Sequence, residues 1–521
     1  MGVPPLWRFW VFDGDFSGLT CISGAKRGGT PHRVGEGIPS PPLIAEPLPP
    51  PRGVVGRAEG GTPPLRPKGG YPPIAPVICR LRDIPDYSLP ARFYVPLRPT
   101  VSWKKVCDLA QLSGPGLKKF LSEFRGPSGT RTETDEIALT GIPPVPVYSN
   151  EFWTAGQRKA SSIHEISYRA CFKPQLPRFF IDLLTTRGDI VYDPFSGRGT
   201  TVIEAALCGR KIIANDANPL SRIMTEPRLA PPRVINVEER LATIPRDGSR
   251  ADCDLSMFYH KDTEREIVAL REYLLERRRE HKEDVIDRWI AMVATNRLTG
   301  HSSGFFSVYT LPPNQAVSPE SQKRINRRRN QKPGYRDTHK LILKKTKSLL
   351  SGLNTDQIRN LNSAAKTAVF LTCDAGRTEA IPDSSVHLTA TSPPFLDIVQ
   401  YREDNWLRCW FNGLDTDVIG KGITMARTVR DWTGVMQDVF DELYRITRPG
   451  GRVAFEVGEV RKGTIRLEEE VIPLGTAAGF SCEAVMINSQ EFTKTSHIWG
   501  VANMGCGTNT NRIVMFRKPA G

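Results

Sequence analysis

Two short stretches of this 521-residue chain carry residue types whose order suggests chemistry. The first is "VYDPFSGRGTTVIEAALCGRKIIANDANPL", which begins at Val191. A strand ends there in Asp193, Gly197 and Gly199 fill a loop, and a helix begins at Thr200-Thr201. Glycines in such a loop let the backbone come close to a ligand at the carboxyl edge of an open α/β sheet, where nucleotides bind. Asp216 ends the next strand, 17 residues past Gly199, where a carboxylate suits two ribose hydroxyls. Asp374 ends a later strand and suits an adenine amino group. The second stretch is "TSPPF", Thr391 to Phe395. The alternating run "SVHLTA" before it predicts a strand, and two prolines forbid that strand from continuing.

The spacing narrows the ligand. A dinucleotide fingerprint needs a small residue three places after Gly199, where Val202 stands, and no P-loop lysine is present. Both the NAD and the ATP readings weaken. A lone glycine turn would be read as a plain strand-to-helix connection, but here it coincides with two strand-end acids and a Pro-Pro motif.

The elements that must position these residues follow an α/β rhythm. "RFFIDLLTT" predicts a helix, "DIVYD" a strand, "TTVIEAALCG" a helix and "KIIAND" a second strand. The rhythm stops for about 140 residues by this periodicity reading and resumes at "TAVFLTCD", "SVHLTATS", a helix near Val439 to Arg448, and "RVAFEVG". "CEAVMIN" and "RIVMFRK" predict a closing hairpin. The expected domains are a low-complexity Pro/Gly-rich leader (1–98), a small helical segment (99–150), a cofactor-binding half (151–225), a helical basic insert (226–365) and a catalytic half (366–521). The leader's composition cannot bury enough apolar surface to offset ordering entropy, so disorder is expected there. "WKKVCDLAQLSGPGLKKFLSEF" reads as two short helices around Ser113-Gly114-Pro115-Gly116, a packing hairpin or a DNA-binding helix-turn-helix.

Charge and composition limit the partners. The net charge of +15 and 39% hydrophobic content describe a chain with a sizeable core and an anionic partner such as nucleic acid. From Glu320 to Lys347 eleven Lys and Arg face two acids, which suits phosphate contact. The ten cysteines are scattered, with no C-x-x-C pair and no Cys/His cluster at metal spacing, so reduced thiols and no metal are expected. No apolar run approaches the roughly 20 residues of a membrane span. A cytoplasmic protein without a membrane anchor is the expectation.

On these motifs the chain resembles the S-adenosylmethionine-dependent DNA amino-methyltransferases of the N4-cytosine/N6-adenine group. "DPFSGRGTT" is similar to that group's cofactor loop, DPFxGxGTT, and "TSPPF" to its catalytic motif, an Asp, Asn or Ser followed by Pro-Pro and an aromatic. "HEISYRACFKPQLPRFFIDLL", from His164, resembles the segment that lines the methionine half of the cofactor. The resemblance runs from about Phe152 to Lys518, with roughly 226–365 outside the shared motifs. It implies a Rossmann-like α/β fold with a mostly parallel seven-stranded sheet. It also implies S-adenosylmethionine bound by Lys173, Pro174, Asp193, Pro194, Phe195, Gly197, Gly199, Thr200, Thr201, Asp216 and Asp374, and catalysis by Ser392, Pro393, Pro394 and Phe395. Double-stranded DNA is the implied partner, with a cognate restriction endonuclease as a candidate companion in a prokaryotic cytoplasm.

The physics of such a reaction fits the motif. The lone pair of a base's exocyclic nitrogen is delocalised into the ring. Acceptors at the Ser392 hydroxyl and the Pro393 carbonyl would favour a tetrahedral nitrogen aimed at the methyl. The prolines lock φ and remove competing donors, and Phe395 would stack on a base flipped from its helix. Ser-Pro-Pro accompanies cytosine N4 more often than adenine N6 in the group, so N4-cytosine is the favoured target. RNA amino-methylation is an alternative with the same pocket logic. A protein-amide methyltransferase with Asn-Pro-Pro-Tyr is disfavoured by Ser392, and a carbon-5 enzyme by the lack of a Pro-Cys pair. A non-catalytic nucleic-acid-binding module is the reading from another class. In this chain the cofactor loop precedes the catalytic motif, although DPFxGxGTT is the spelling of the reversed group. The insert falls between the second and third predicted strands, earlier than the usual recognition segment. Target recognition by the insert, through "TGHSSGFFSVYTLPPNQ" and its basic end, is a hypothesis, with core packing of Phe305, Phe306 and Tyr309 as its equal.

Overall fold

A computed structural model describes residues 114–520, apart from 155–159, 169–170, 312–315, 395–400, 424–425, 427, 458–465 and 490–509. The expected disordered leader and the first half of the predicted helical hairpin lie outside the described residues. The strands are β1 (Glu133–Leu139), β2 (Ile142–Asn150), β3 (Ile190–Asp193), β4 (Lys211–Asn215), β5 (Val369–Leu371), β6 (Val386–Thr391), β7 (Thr447–Val457), β8 (Ser481–Asn488) and β9 (Asn511–Arg517). They form one sheet in the order β1-β2-β8-β9-β7-β6-β3-β4-β5.

Strands β7, β6, β3, β4 and β5 are mutually parallel, so their carboxyl ends share one edge. The sequence places β3 first, β4 on one side of it and β6 on the other, which makes β3 the switch point where open α/β sheets open a ligand crevice. The mostly parallel seven-stranded sheet is corrected to a mixed sheet of nine strands. β9 runs antiparallel between β7 and β8, as the closing hairpin requires, and β1 and β2 extend the β8 edge. The segment 99–150, expected to be helical, carries the helix α1 (Gly114–Glu123) and then this hairpin. Gly114 to Gly116, expected as a turn, form the first turn of α1. Three prolines in "IPPVPVYSN" hid β2. Their missing N–H groups are tolerated near a sheet margin, and only Val147 to Asn150 pair with β8.

Helices cover both faces. In chain order they are α2 (Gln175–Leu184), α3 (Thr200–Leu207), α4 (Leu220–Thr225), α5 (Val234–Thr243), α6 (Lys261–Arg279), α7 (Val285–Arg297), α8 (Pro319–Arg329), α9 (Thr338–Leu350), α10 (Thr355–Ala365), α11 (Tyr401–Asn412), α12 (Thr416–Gly422), α13 (Val429–Ile446) and α14 (Leu467–Ala477). On one face Trp432, Phe440, Leu443 and Val471 of α13 and α14 pack on Val453, Phe455 and Phe516. On the other, Phe180 of α2 and Val202 of α3 belong to the same buried cluster as Phe258, Ile267, Trp289 and Ile342. The insert between β4 and β5 is therefore helical, as its periodicity predicts, and shares its core with the sheet's face. Its fully buried Asp287 is held by Arg240 and Arg277, so removing either arginine would leave a charge poorly compensated in the interior.

Candidate active site at the carboxyl edge of the sheet

The loop after β3 is built by local chemistry. Asp193 Oδ1 accepts the Phe195 N–H, and Ser196 Oγ donates to the Asp193 carbonyl, which closes a tight turn on the strand end. Gly197 and Gly199 then take φ of 51° and 73°, the left-handed region that glycine occupies without steric cost. Gly199 also has no room for a side chain, since a Cβ there would lie 2.3 Å from Thr225 Cγ2. A Cβ on Gly197 would stand 3.5 Å from the Tyr168 ring.

The neighbouring strand ends are tied to this loop. Asp216, just past β4, accepts the Gly197 N–H at 2.7 Å and the Asn218 N–H at 2.8 Å, one on each carboxylate oxygen. Desolvation pushes the Asp216 carboxyl up to about 6, against the pull of those two donors. Each oxygen keeps a further lone pair for a ligand hydroxyl. Asn215, buried, donates to the Pro194 and Cys373 carbonyls at 3.3 and 3.0 Å and accepts the Cys373 N–H, so one side chain pins the ends of β3, β4 and β5. Asp374 stands three residues beyond β5, exposed, with Oδ1 accepting the Gly376 N–H.

The second motif meets the first. Thr391, the last residue of β6, donates to Asp193 Oδ1 at 2.6 Å, and Thr201 donates to the Ala390 carbonyl at 2.9 Å. Burial pushes the Asp193 carboxyl up to about 6 despite the hydrogen bonds it accepts from the Thr391 hydroxyl and the Phe195 N–H. Ser392 follows half-buried and Pro393 buried. The Pro394 carbonyl accepts the indole N–H of Trp432 at 3.0 Å, which ties the Pro-Pro turn to α13. Phe395 lies outside the described residues.

Several predicted cofactor residues act through the scaffold. Asp193, Thr200 and Thr201 are buried, and Thr200 Oγ1 accepts from Arg198 Nε at 3.2 Å. Arg198, at the second variable letter of DPFxGxGTT, donates to the Ile166 carbonyl at 2.7 Å and fixes the segment before α2. Pro194 is buried, Phe195 is half-buried against the α13 side, and Lys173 and Pro174 immediately precede α2, with Pro174 its N-cap. Buried His164 meets Glu204 of α3 at 2.7 Å, with its pKa held down by burial. In the insert, Phe305 and Phe306 are buried, which leaves Tyr309, half-buried under the Arg329 guanidinium at 3.8 Å, as the most accessible aromatic of the three. Trp406 and Trp410, four apart on α11, are half-buried against the same core.

The residue types at this edge suit an adenosyl cofactor: a glycine loop for close backbone approach, a strand-end carboxylate for the ribose, and a helix start for an anionic end. Among the described residues no group of His, Cys, Asp and Glu is arranged to hold a metal ion, and no helix is long and apolar enough to cross a membrane.

Residues missed by the motif reading are Asn215, Arg198, Trp432 and Glu456 of β7. The last was legible as a lone acid in the apolar run "RVAFEV". Its carboxylate, 8% exposed, accepts hydrogen bonds from Ser392 and from Asn511 Nδ2.

Comparison with known proteins bears on the first half of this site. Residues 131–222 match the DNA methylase family of N6/N4 methyltransferases. S-adenosylmethionine is that family's cofactor. The chain is 37% identical over 67 residues to the Type II methyltransferase M.MvaI of Kocuria varians, covering 12% of this chain and 15% of that protein. It is 34% identical over 84 residues to a tRNA (guanine(10)-N2)-dimethyltransferase of Methanocaldococcus jannaschii, covering 16% and 22%. A solved Thermus thermophilus protein, provisionally described as a DNA modification methylase and complexed with S-adenosyl-L-methionine, is 23% identical over 29% of this chain and 54% of its own, with a TM-score of 0.19. The chain thus spans less than a quarter of the length of these two curated relatives. The matches support an amino-methyltransferase family, and the family match covers β3, the glycine loop and Asp216 while Ser392 lies beyond it.

Proposed function

We propose that this chain is an S-adenosylmethionine-dependent DNA methyltransferase that modifies the exocyclic amine of a flipped base, cytosine N4 before adenine N6. The observation that carries the reading is the junction of the two motifs: Asp193 and Thr201, which flank the glycine loop, grip Thr391 and Ala390, the two residues that lead into Ser392-Pro393-Pro394. A loop fitted for a nucleoside and a turn of acceptors are thereby held side by side.

When bound, S-adenosylmethionine supplies a methyl already activated by its sulfonium. Asp216 would hold the ribose, Asp374 the adenine amine, the backbone at Gly197 and Gly199 the nucleoside, and Lys173-Pro174 at the start of α2 the methionine end. Ser392 Oγ and the Pro393 carbonyl would accept the two N–H groups of the target amine and draw its lone pair out of conjugation. With the Pro394 carbonyl engaged by Trp432, the turn presents its acceptors from a fixed backbone. Phe395 would stack on the extruded base. Ser392 in place of Asp favours cytosine N4.

Double-stranded DNA is the partner on this reading, in a prokaryotic cytoplasm, and a cognate restriction endonuclease would share its site. The basic end of the insert supports the choice of a polyanion. α8 buries Gln322 and carries Lys323, Arg324, Arg327, Arg328 and Arg329 on its remaining surface. The partial identity to a tRNA methylating enzyme supports structured RNA as the second reading.

The test is incubation with labelled S-adenosylmethionine and unmethylated genomic DNA, followed by nucleoside mass spectrometry, with Ser392→Ala beside it. Label on cytosine N4 that the variant cannot make is the expected result. Label on adenine keeps the mechanism and overturns the base. Label on RNA alone replaces the substrate class, and none on either polymer despite cofactor binding sinks the enzyme reading.

A further inference from the structure

A serine is an awkward acceptor. Its hydroxyl carries one hydrogen and two lone pairs and rotates freely, so in some rotamers the hydrogen meets an incoming N–H group, donor against donor. An aspartate or asparagine oxygen at the same place has no such ambiguity. A chain that uses Ser392 for this task therefore needs a second group that takes the hydroxyl hydrogen.

The sheet supplies one. The parallel register of β6 and β7 pairs Ala390 with Ala454 and Thr391 with Phe455, so Ser392 and Glu456 are the next residues along the two chains. The Glu456 carboxylate accepts the hydrogen bond of Ser392. It also accepts from Asn511 Nδ2, at the start of β9, the antiparallel neighbour of β7 on the other side. Glu456 is 8% exposed and lies beside the open edge of the sheet, in a strand whose preceding residues, Ala454 and Phe455, are apolar. A buried carboxylate in such a strand costs several kcal/mol to desolvate unless its hydrogen bonds are made. Packing alone would be served better by an apolar residue, and one of the two bonds it makes reaches the catalytic turn.

We propose that Glu456, oriented by Asn511, is a positioning residue that takes the Ser392 hydroxyl hydrogen and leaves both Ser392 lone pairs for the amine of the target base. The inference rests on the methyltransferase reading and deepens it: Glu456 touches neither cofactor nor base and takes no proton, and the bond from Asn511 holds the carboxylate in the orientation that meets Ser392. Burial raises the Glu456 carboxyl above its ordinary range, while the bonds from Ser392 and Asn511 pull it back toward the ionised form that accepts.

Single-turnover methyl transfer by Glu456→Gln tests it. The amide competes for the same partners with one donor in place of an acceptor. Loss of one charged hydrogen-bond acceptor corresponds to a fall of about 10- to 100-fold in rate. The expected result is that fall with the dissociation constant for S-adenosylmethionine and the melting temperature unchanged, and a smaller fall in Asn511→Ala. Ser392→Ala/Glu456→Gln should be no slower than Ser392→Ala alone, since the two act as one unit. A wild-type rate in Glu456→Gln overturns the inference. So does a fall matched by lost cofactor binding or melting temperature, or a double variant slower than Ser392→Ala by a further tenfold. Full activity of Ser392→Ala would instead strike the underlying reading, so the two failures are told apart.

Discussion

Thr391 Oγ1 lies 2.6 Å from Asp193 Oδ1 across 198 residues of sequence, and both side chains are sealed from solvent. β6 and β3 are adjacent and parallel, so this bond joins the residue before the Ser-Pro-Pro turn to the residue that opens the glycine loop. Thr391→Val keeps the shape and removes the donor. A buried carboxylate short of one partner costs about 1–3 kcal/mol. We expect a lower melting temperature and slower methyl transfer, restored by Thr391→Ser, with differential scanning calorimetry and single-turnover assays as the measurements.

Asp193 also makes stability depend on pH. Its folded-state pKa is about 6 against an ordinary 3.8, with desolvation the main cause. Between those values the folded protein binds more protons than the unfolded chain, so this group's contribution falls as pH rises from about 4 to 6 and is constant above. The full difference is on the order of 3 kcal/mol. Asp193→Asn keeps an acceptor for Thr391 and Phe195 and places its amide near Thr201. The variant should melt above wild type at pH 8 and converge with it near pH 4. A constant gap across that range would refute the assignment.

The strand ends of β3, β4 and β6 were legible because their signals are local: a glycine pair, a terminal acid, a proline pair. Their partners were not. Nothing near Asp193 in sequence announces Thr391, and Asn215 looks like any polar residue before Asp216 until it is seen bridging Pro194 and Cys373. The hairpin at Glu133–Asn150 was lost to its prolines, since pairing with the β8 edge is a tertiary effect that outweighs propensity. The insert's helices were legible from their period, but its shared core with α2 and α3 depends on contacts that no periodicity records.

Asp216 should make cofactor affinity pH-dependent. Ribose hydroxyls donate to a carboxylate, so the ionised form binds better, and the pKa of about 6 puts the change within reach. Below that pH the dissociation constant for S-adenosylmethionine should rise about tenfold per unit. Asp216→Asn should bind more weakly at pH 8 and lose this dependence. Titration calorimetry from pH 5 to 8 decides it; an unchanged slope in the variant would assign the effect elsewhere.

Gly199 offers a steric test. With φ at 73° and Thr225 Cγ2 2.3 Å from a would-be Cβ, Gly199→Ala combines a left-handed backbone costing about 1–2 kcal/mol with a clash. Cofactor binding should be lost. Gly199→Ala/Thr225→Ala relieves most of the clash and retains the backbone cost, so it should recover only part of the affinity. Full recovery would mean that the φ angle is unimportant there.

The basic end of the insert can be tested by salt. Arg327 and Arg328 lie in the last turn of α8, whereas Arg329 stacks on Tyr309 and Lys323 pairs with Asp254, so the first two are free of those structural duties. Each phosphate that a cation neutralises on duplex DNA adds about 0.9 to the slope of log affinity against log salt. If both arginines touch phosphates, Arg327→Ala/Arg328→Ala lowers that slope by about 2. Phosphate contacts carry no sequence information, so the methylated site should stay the same while affinity falls. Fluorescence anisotropy across potassium chloride concentrations measures the slope, and sequencing of methylated product reads the site. An unchanged slope would place the DNA path away from α8, and a changed site would make these arginines readers of bases.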